Sequence, residues 1–116
     1  MNRLTLALGV ALATLVAAAP VAASPSAAKA TTITVKMKEF KFILSKQTVP
    51  HGTVTFKLVN IGKLAHDFRI AGKTSKLIQP GKTGKFVVTL KKGKLPYNCP
   101  VPGHTAAGMR GKLTVT

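Results

Sequence analysis

Four side chains in this sequence could together hold a redox metal. The segment Tyr97-Asn98-Cys99-Pro100-Val101-Pro102-Gly103-His104-Thr105-Ala106-Ala107-Gly108-Met109 sets a thiol, an imidazole and a thioether at five-residue steps, and a second imidazole, His66, stands 33 residues before the cysteine. A thiolate is a soft anionic ligand, imidazole is a borderline donor, and a thioether is soft, neutral and weak. That set suits copper, which alternates between soft Cu(I) and harder Cu(II); two His and one Cys in a plane with a long axial Met is the type 1 arrangement. Zinc takes four strong N, S or O donors, for which methionine is a poor choice. Cys99 is the chain's one cysteine, so no internal disulfide can form. A lone thiol in an oxidising compartment calls for burial, an interchain partner or a metal.

Each of these residues also has an ordinary structural reading. A single buried cysteine usually behaves as a small hydrophobe. His66 alone could be a satisfied strand-end histidine, and Met109 a core methionine with the axial position empty or filled by a carbonyl. The joint spacing, in a Pro/Gly-rich loop between two expected strands, decides for the ligand reading. His51, in Pro50-His51-Gly52, reads as a surface turn without metal.

The elements that must position these donors read as strands. Thr32 to Lys38, Thr53 to Leu58, Lys85 to Leu90 and Lys112 to Thr116 alternate apolar and polar residues with period two, the signature of strands with one buried and one wet face. Phe40 to Leu44 and Asp67 to Ile70 read as shorter strands. Pro50-His51-Gly52, Asn60-Ile61-Gly62, Gly72, Pro80-Gly81 and Lys92-Gly93-Lys94 read as turns, with Pro-Gly suited to type II. No stretch carries an amphipathic helix of three turns. Seven or eight short strands with frequent turns predict an all-β sandwich or barrel. Met37 and the five phenylalanines, Phe40, Phe42, Phe56, Phe68 and Phe86, read as its core. Tyr97 is expected to pack near the metal-ligating residues.

The loop from Tyr97 to Met109, together with Leu64-Ala65-His66-Asp67-Phe68 after the strand Thr53 to Asn60, resembles the cupredoxins, the small type 1 blue copper proteins of the plastocyanin, azurin and rusticyanin kind. The resemblance covers Thr31 to Thr116. It implies a Greek-key sandwich with one copper near one end, ligated by His66, Cys99, His104 and Met109. It also implies that His104 is the electron exit, ringed by an apolar patch of Pro100, Val101, Pro102, Ala106 and Ala107. His66 would be the more buried ligand, its second ring nitrogen held by a hydrogen bond. One position departs from the family pattern: Asp67 stands where Asn is common, and its carboxylate could accept from Asn98 or from nearby backbone N–H groups.

Residues 1–23 read as a secretory signal peptide, with one early positive charge, an apolar run from Leu4 to Ala19 and small residues before Ser24. A retained anchor is the competing reading, although the run is shorter than the roughly 20 residues that span a bilayer. Residues 24–30 read as a flexible tether, and 31–116 as the folded domain. The protein is thus expected in the periplasm, the envelope or the medium, and as a monomer. The chain carries 18 basic and 2 acidic residues. Loss of Arg3 with the leader would leave 17 against 2, a net charge of +15. Such a surface favours acidic protein partners or an anionic envelope. The basic residues are spread along the chain and are mostly lysine, unlike a dedicated nucleic-acid site. Lys91, Lys92 and Lys94 read as a solvated hairpin end.

The expected function is a one-electron carrier, not an enzyme. A copper chaperone or store with the same fold is the alternative. Such proteins expose Met- or His-rich stretches, whereas this chain has three of each residue. A multicopper enzyme needs further histidine ligands, and only His51 is left over.

Overall fold

The computed structural model describes residues 9–17 and 30–116. The expected leader and tether fall largely outside these. The described part of the leader, 9–17, forms neither strand nor helix. From Thr31 the chain forms nine strands: β1 Thr31–Lys38, β2 Lys41–Leu44, β3 Thr48–Val49, β4 Gly52–Asn60, β5 Arg69–Ile70, β6 Lys73–Thr74, β7 Thr83–Leu90, β8 Gly93–Asn98 and β9 Arg110–Val115. The count exceeds the expected seven or eight; β3 and β6 are two residues long, too short to show a period, and β8 starts inside Lys92-Gly93-Lys94, expected as a turn.

The strands form a sandwich of two mixed sheets, one ordered β2-β1-β4-β7 and the other β3-β9-β8-β5-β6. β1 runs parallel to β4, and β4 antiparallel to β7 over eight paired positions. β8 lies antiparallel to β9, and β5 antiparallel to β8. Alternation explains the packing. Ile33, Val35 and Met37 of β1, and Val54, Phe56 and Leu58 of β4, turn inward and are almost wholly buried, while Lys36 and Lys57 face water. Leu113 and Val115 of β9 close the core from the other sheet.

Phe68 is the aromatic hub of the core. Its ring lies within 5.0–6.5 Å, centroid to centroid, of Phe42, Phe56, Phe86 and Tyr97. Phe42 and Phe86 are partly buried against this core. Phe40 departs from expectation, being 40% exposed. It sits in the turn between β1 and β2, outside the strand whose alternation would have turned it inward.

The chain passes repeatedly between the sheets, and two of these passages matter for the donors. One, from β4 to β5, contains His66. The other, from β6 to β7, contains Ile78. The two pair as an isolated antiparallel bridge, with His66 N donating to Ile78 O at 3.1 Å and Ile78 N to His66 O at 2.7 Å.

Candidate metal centre

Asn60, at the end of β4, sets the path toward His66. It is buried, and every polar atom of its amide is used. Nδ2 donates to Leu64 O and Ile78 O, both at 2.8 Å, and Oδ1 accepts from Gly62 N at 2.9 Å. It thereby shapes the turn 60–64 and ties that turn to the passage containing Ile78.

The turn in turn presents two N–H groups to Glu39. Oε1 of Glu39 accepts from Lys63 N at 2.8 Å, from Leu64 N at 2.6 Å and from His66 Nε2 at 3.1 Å. These donors, the Leu64 N–H foremost, pull the Glu39 carboxyl down to about 2 against a smaller opposing effect of burial. An ionised carboxylate can only accept, so it fixes the proton of His66 on Nε2 and leaves Nδ1 as a lone-pair donor. Burial lowers the His66 pKa, with the Glu39 contact opposing, which favours the neutral ring. The hydrogen bond expected on the second ring nitrogen of His66 is therefore present, and its acceptor is a residue that sequence reading did not single out.

Cys99 follows directly on β8, and the loop after it is closed by backbone bonds. Cys99 N donates to Met109 O at 3.0 Å and Met109 N to His104 O at 3.1 Å. His104 is placed by a turn over residues 101–104. Its N–H donates to Val101 O at 3.0 Å, with Gly103 at φ +83°. That is a type II turn with Pro102 at the first central position and a glycine where φ must be positive. Gln79-Pro80-Gly81-Lys82 uses the same device, with Lys82 N on Gln79 O and Gly81 at φ +76°, in agreement with the turn read from Pro-Gly.

The outcome is a triangle of donors. His66 Nδ1 lies 3.2 Å from His104 Nδ1 and 4.0 Å from Cys99 Sγ, and His104 Nδ1 lies 3.5 Å from Cys99 Sγ. His66 and Cys99 are fully buried, and His104 is 7% exposed. Metal–nitrogen bonds of about 2.0 Å and metal–sulfur bonds of about 2.3 Å give a trigonal plane with edges of roughly 3.5–3.7 Å, so this triangle fits one first-row ion. Burial raises the Cys99 thiol pKa, partly offset by the backbone N–H groups of Asp67 and Val101. An incoming metal would therefore displace its proton.

Met109 is fully buried at the end of the loop, tied by its backbone to both Cys99 and His104. His51, expected to be free of metal, stands apart from the triangle, with Nδ1 2.9 Å from Thr116 O. Asp67 Oδ1 lies 3.5 Å from Cys99 Sγ. It does not accept from Asn98, whose Nδ2 donates instead to Thr105 Oγ1 at 3.0 Å, while Thr105 Oγ1 donates to Cys99 O at 2.8 Å. Thr105 thus ties the middle of the ligand loop to its start at Asn98 and Cys99, while Asp67 meets that loop at the Cys99 sulfur. The Phe40 ring meets His104 edge-on, with centroids 5.1 Å apart. That contact was hidden in sequence because an aromatic residue beside a strand reads as core.

A two-sheet β-sandwich with a buried His-Cys-His cluster, one histidine on a sheet crossing and the cysteine and second histidine on the β8–β9 loop, defines the class of small copper-binding β-proteins. The chain belongs to the cupredoxins: residues 6–115 match the family model described as Cupredoxin-like domain. A segment of 42 residues, 35% of the chain, is 45% identical to the copper-resistant cuproprotein CopI of Pseudomonas aeruginosa, and the match spans 23% of that protein. Auracyanin A, a blue copper protein of Chloroflexus aurantiacus, superposes with a TM-score of 0.63 at 25% identity, covering 74% of this chain and 98% of that one. A copper nitrite reductase of Nitrosomonas europaea shares the fold at 22% identity, with a TM-score of 0.60 over 75% of this chain and 41% of that one. The cofactor this donor set is built for is one copper ion.

Proposed function

We propose that this protein is an exported one-electron carrier whose single type 1 copper is held by His66, Cys99 and His104, with Met109 as the weak axial ligand. The observation that carries the reading is the triangle of three buried donor atoms with edges of 3.2, 3.5 and 4.0 Å. Copper, when bound, supplies the exchange of one electron between Cu(I) and Cu(II). The chain's own part is to hold the donors still. Glu39 fixes the His66 tautomer, Asn60 fixes the turn that supports Glu39, and the Cys99–Met109 backbone bond closes the loop. A framework held this firmly adapts little between oxidation states, which favours fast exchange. His104 is the one ligand of the three with any exposure, and Pro102, Ala106 and Ala107 beside it are exposed, a small apolar surface suited to brief docking. A carrier is favoured over an enzyme because the one further histidine, His51, is engaged with Thr116.

The test is a visible spectrum. Protein loaded with Cu(II) should show an intense band from Cys99 thiolate charge transfer, and Cys99→Ser should abolish it. A colourless Cu(II) complex of the native protein would sink the reading.

The likeness to a copper-resistance protein favours a second reading, copper binding for delivery or storage. The two separate kinetically. A carrier keeps its copper in both oxidation states and exchanges electrons quickly, whereas a delivery protein surrenders copper to a competing apo-protein.

A further inference from the structure

One face of the five-stranded sheet carries a groove of about 680 Å³ beside the metal loop. Partners in an antiparallel ladder point to the same face. Arg69 of β5 stands opposite Asn98 of β8, and Asn98 opposite Arg110 of β9. The three form one row across three strands, and Pro96 and Lys112 form the next. The alternate positions Ile70, Tyr97 and Leu113 are buried, so the row faces outward, and Arg69, Arg110 and Lys112 are exposed. All three cations line the groove, and neither of the chain's two acids does.

The choice of cation is informative. The chain has 15 lysines and 3 arginines, and the two arginines outside the leader both bracket Asn98. Arginine presents a planar fork that matches a carboxylate bidentately, which lysine cannot do. Strands lie about 4.8 Å apart, so the Arg69 and Arg110 backbones stand roughly 10 Å apart, wider than a single carboxylate spans. A polyproline II chain rises about 3.1 Å per residue with three residues per turn, so acids three positions apart on one peptide share a face at close to that spacing.

The groove also adjoins the metal-ligating loop. Asn98 and Thr105 both line it and bond to each other. Asn98 precedes Cys99 directly, and Thr105 follows His104 directly.

We propose that this groove is a docking site for an acidic segment of the redox partner, with Arg69 and Arg110 each forking one of two carboxylates roughly 10 Å apart. The inference rests on the electron-carrier reading and adds to it a specific place on the +16 chain where long-range attraction becomes a contact. Docking there sets the partner one residue away from both Cys99 and His104.

The experiment is a titration of the isotope-labelled, metal-free protein with acetyl-Gly-Glu-Ala-Ala-Glu-Gly-amide at low salt, followed by NMR. The amide signals of Asn98 and Thr105 should shift. R69Q/R110Q should weaken binding at least tenfold. K91Q/K92Q, which removes the same charge from another exposed pair, should change it less than twofold. Equal weakening by both pairs would overturn the proposal, because net charge alone would then be acting. Succinate binding as tightly as the peptide would overturn it too, by making the groove a small-anion site. The titration needs no copper, so its failure is distinct from failure of the copper reading, which the visible spectrum decides.

Discussion

Glu39→Gln asks whether the carboxylate behind His66 is part of the metal site or a bystander. In the native protein one oxygen, Oε1, accepts from Lys63 N, Leu64 N and His66 Nε2 at 2.8, 2.6 and 3.1 Å. Glutamine has the same length and keeps one carbonyl oxygen, so the turn 60–64 should persist. It loses the charge, and charge-assisted bonds are about twice as strong as neutral ones. Its NH2 group can also face His66, where it would donate to Nε2 and so favour the tautomer with the proton on Nδ1. The proton on His66 is then no longer confined to Nε2, and Nδ1 is a donor to the metal for only part of the time. Partners of this kind are worth about 10–100-fold in metal affinity. The assay is competition of the protein against a chelator, run separately for Cu(II) and Cu(I). The expected result is a loss of that size for Cu(II) and a smaller one for Cu(I), because a negative charge favours the more highly charged ion. The reduction potential should rise accordingly. Cu(II) affinity within twofold of native together with an unchanged potential would refute the role given to Glu39.

Met109→Leu should preserve the charge-transfer band and raise the potential, since loss of a weak axial thioether favours Cu(I); voltammetry and a visible spectrum check both halves. Asn60→Ala strips its bonds from Leu64 O, Gly62 N and Ile78 O, the last of which keeps its bond from His66 N, and at about 1–3 kcal/mol for each of the two groups left unmatched should lower stability in urea by at least about 2 kcal/mol. Phe68→Ala should cost about 3–5 kcal/mol. At about 4–8 °C per kcal/mol for a domain of this size, its Tm should fall by at least about 12 °C in calorimetry.

The long strands were legible in sequence because their period-two pattern is the same thing as their burial. In β1 and β4 every apolar position between Ile33 and Leu58 that alternates with a lysine or threonine turns inward. The strands β3 and β6 were not separately legible, because two residues carry no period, and β8 was hidden by the turn signal of Lys92-Gly93-Lys94; β5 lies within the short strand legible over Asp67 to Ile70. The donors His66, Cys99 and His104 could be found from residue chemistry, since few side chains bind copper and the loop sets their spacing. Their supports could not. Glu39 stands 27 residues before His66 and looks like any solvated acid at a strand end, and only the fold brings it beneath the ring. The sequence marks Asn60 as a turn residue, which accounts for one of its three side-chain bonds, the one to Gly62. Phe40 misled for the opposite reason, because hydrophobicity alone does not say whether a residue beside a strand faces the core or a ligand.

The pairing of the two sheet crossings also has a consequence for how the molecule comes into being. Glu39, His66, Cys99 and His104 belong to the beginning, middle and end of the folded chain, so no fragment shorter than nearly the whole domain contains the site. A chain emerging from synthesis or from a membrane pore presents only scattered soft ligands until its last strand has docked. Capture of the ion therefore reports that folding is complete, and by binding the native state alone it adds RT ln(1 + [L]/Kd) to its stability. The stabilisation grows with the metal supply, by about 1.4 kcal/mol for each tenfold rise of free ion above Kd.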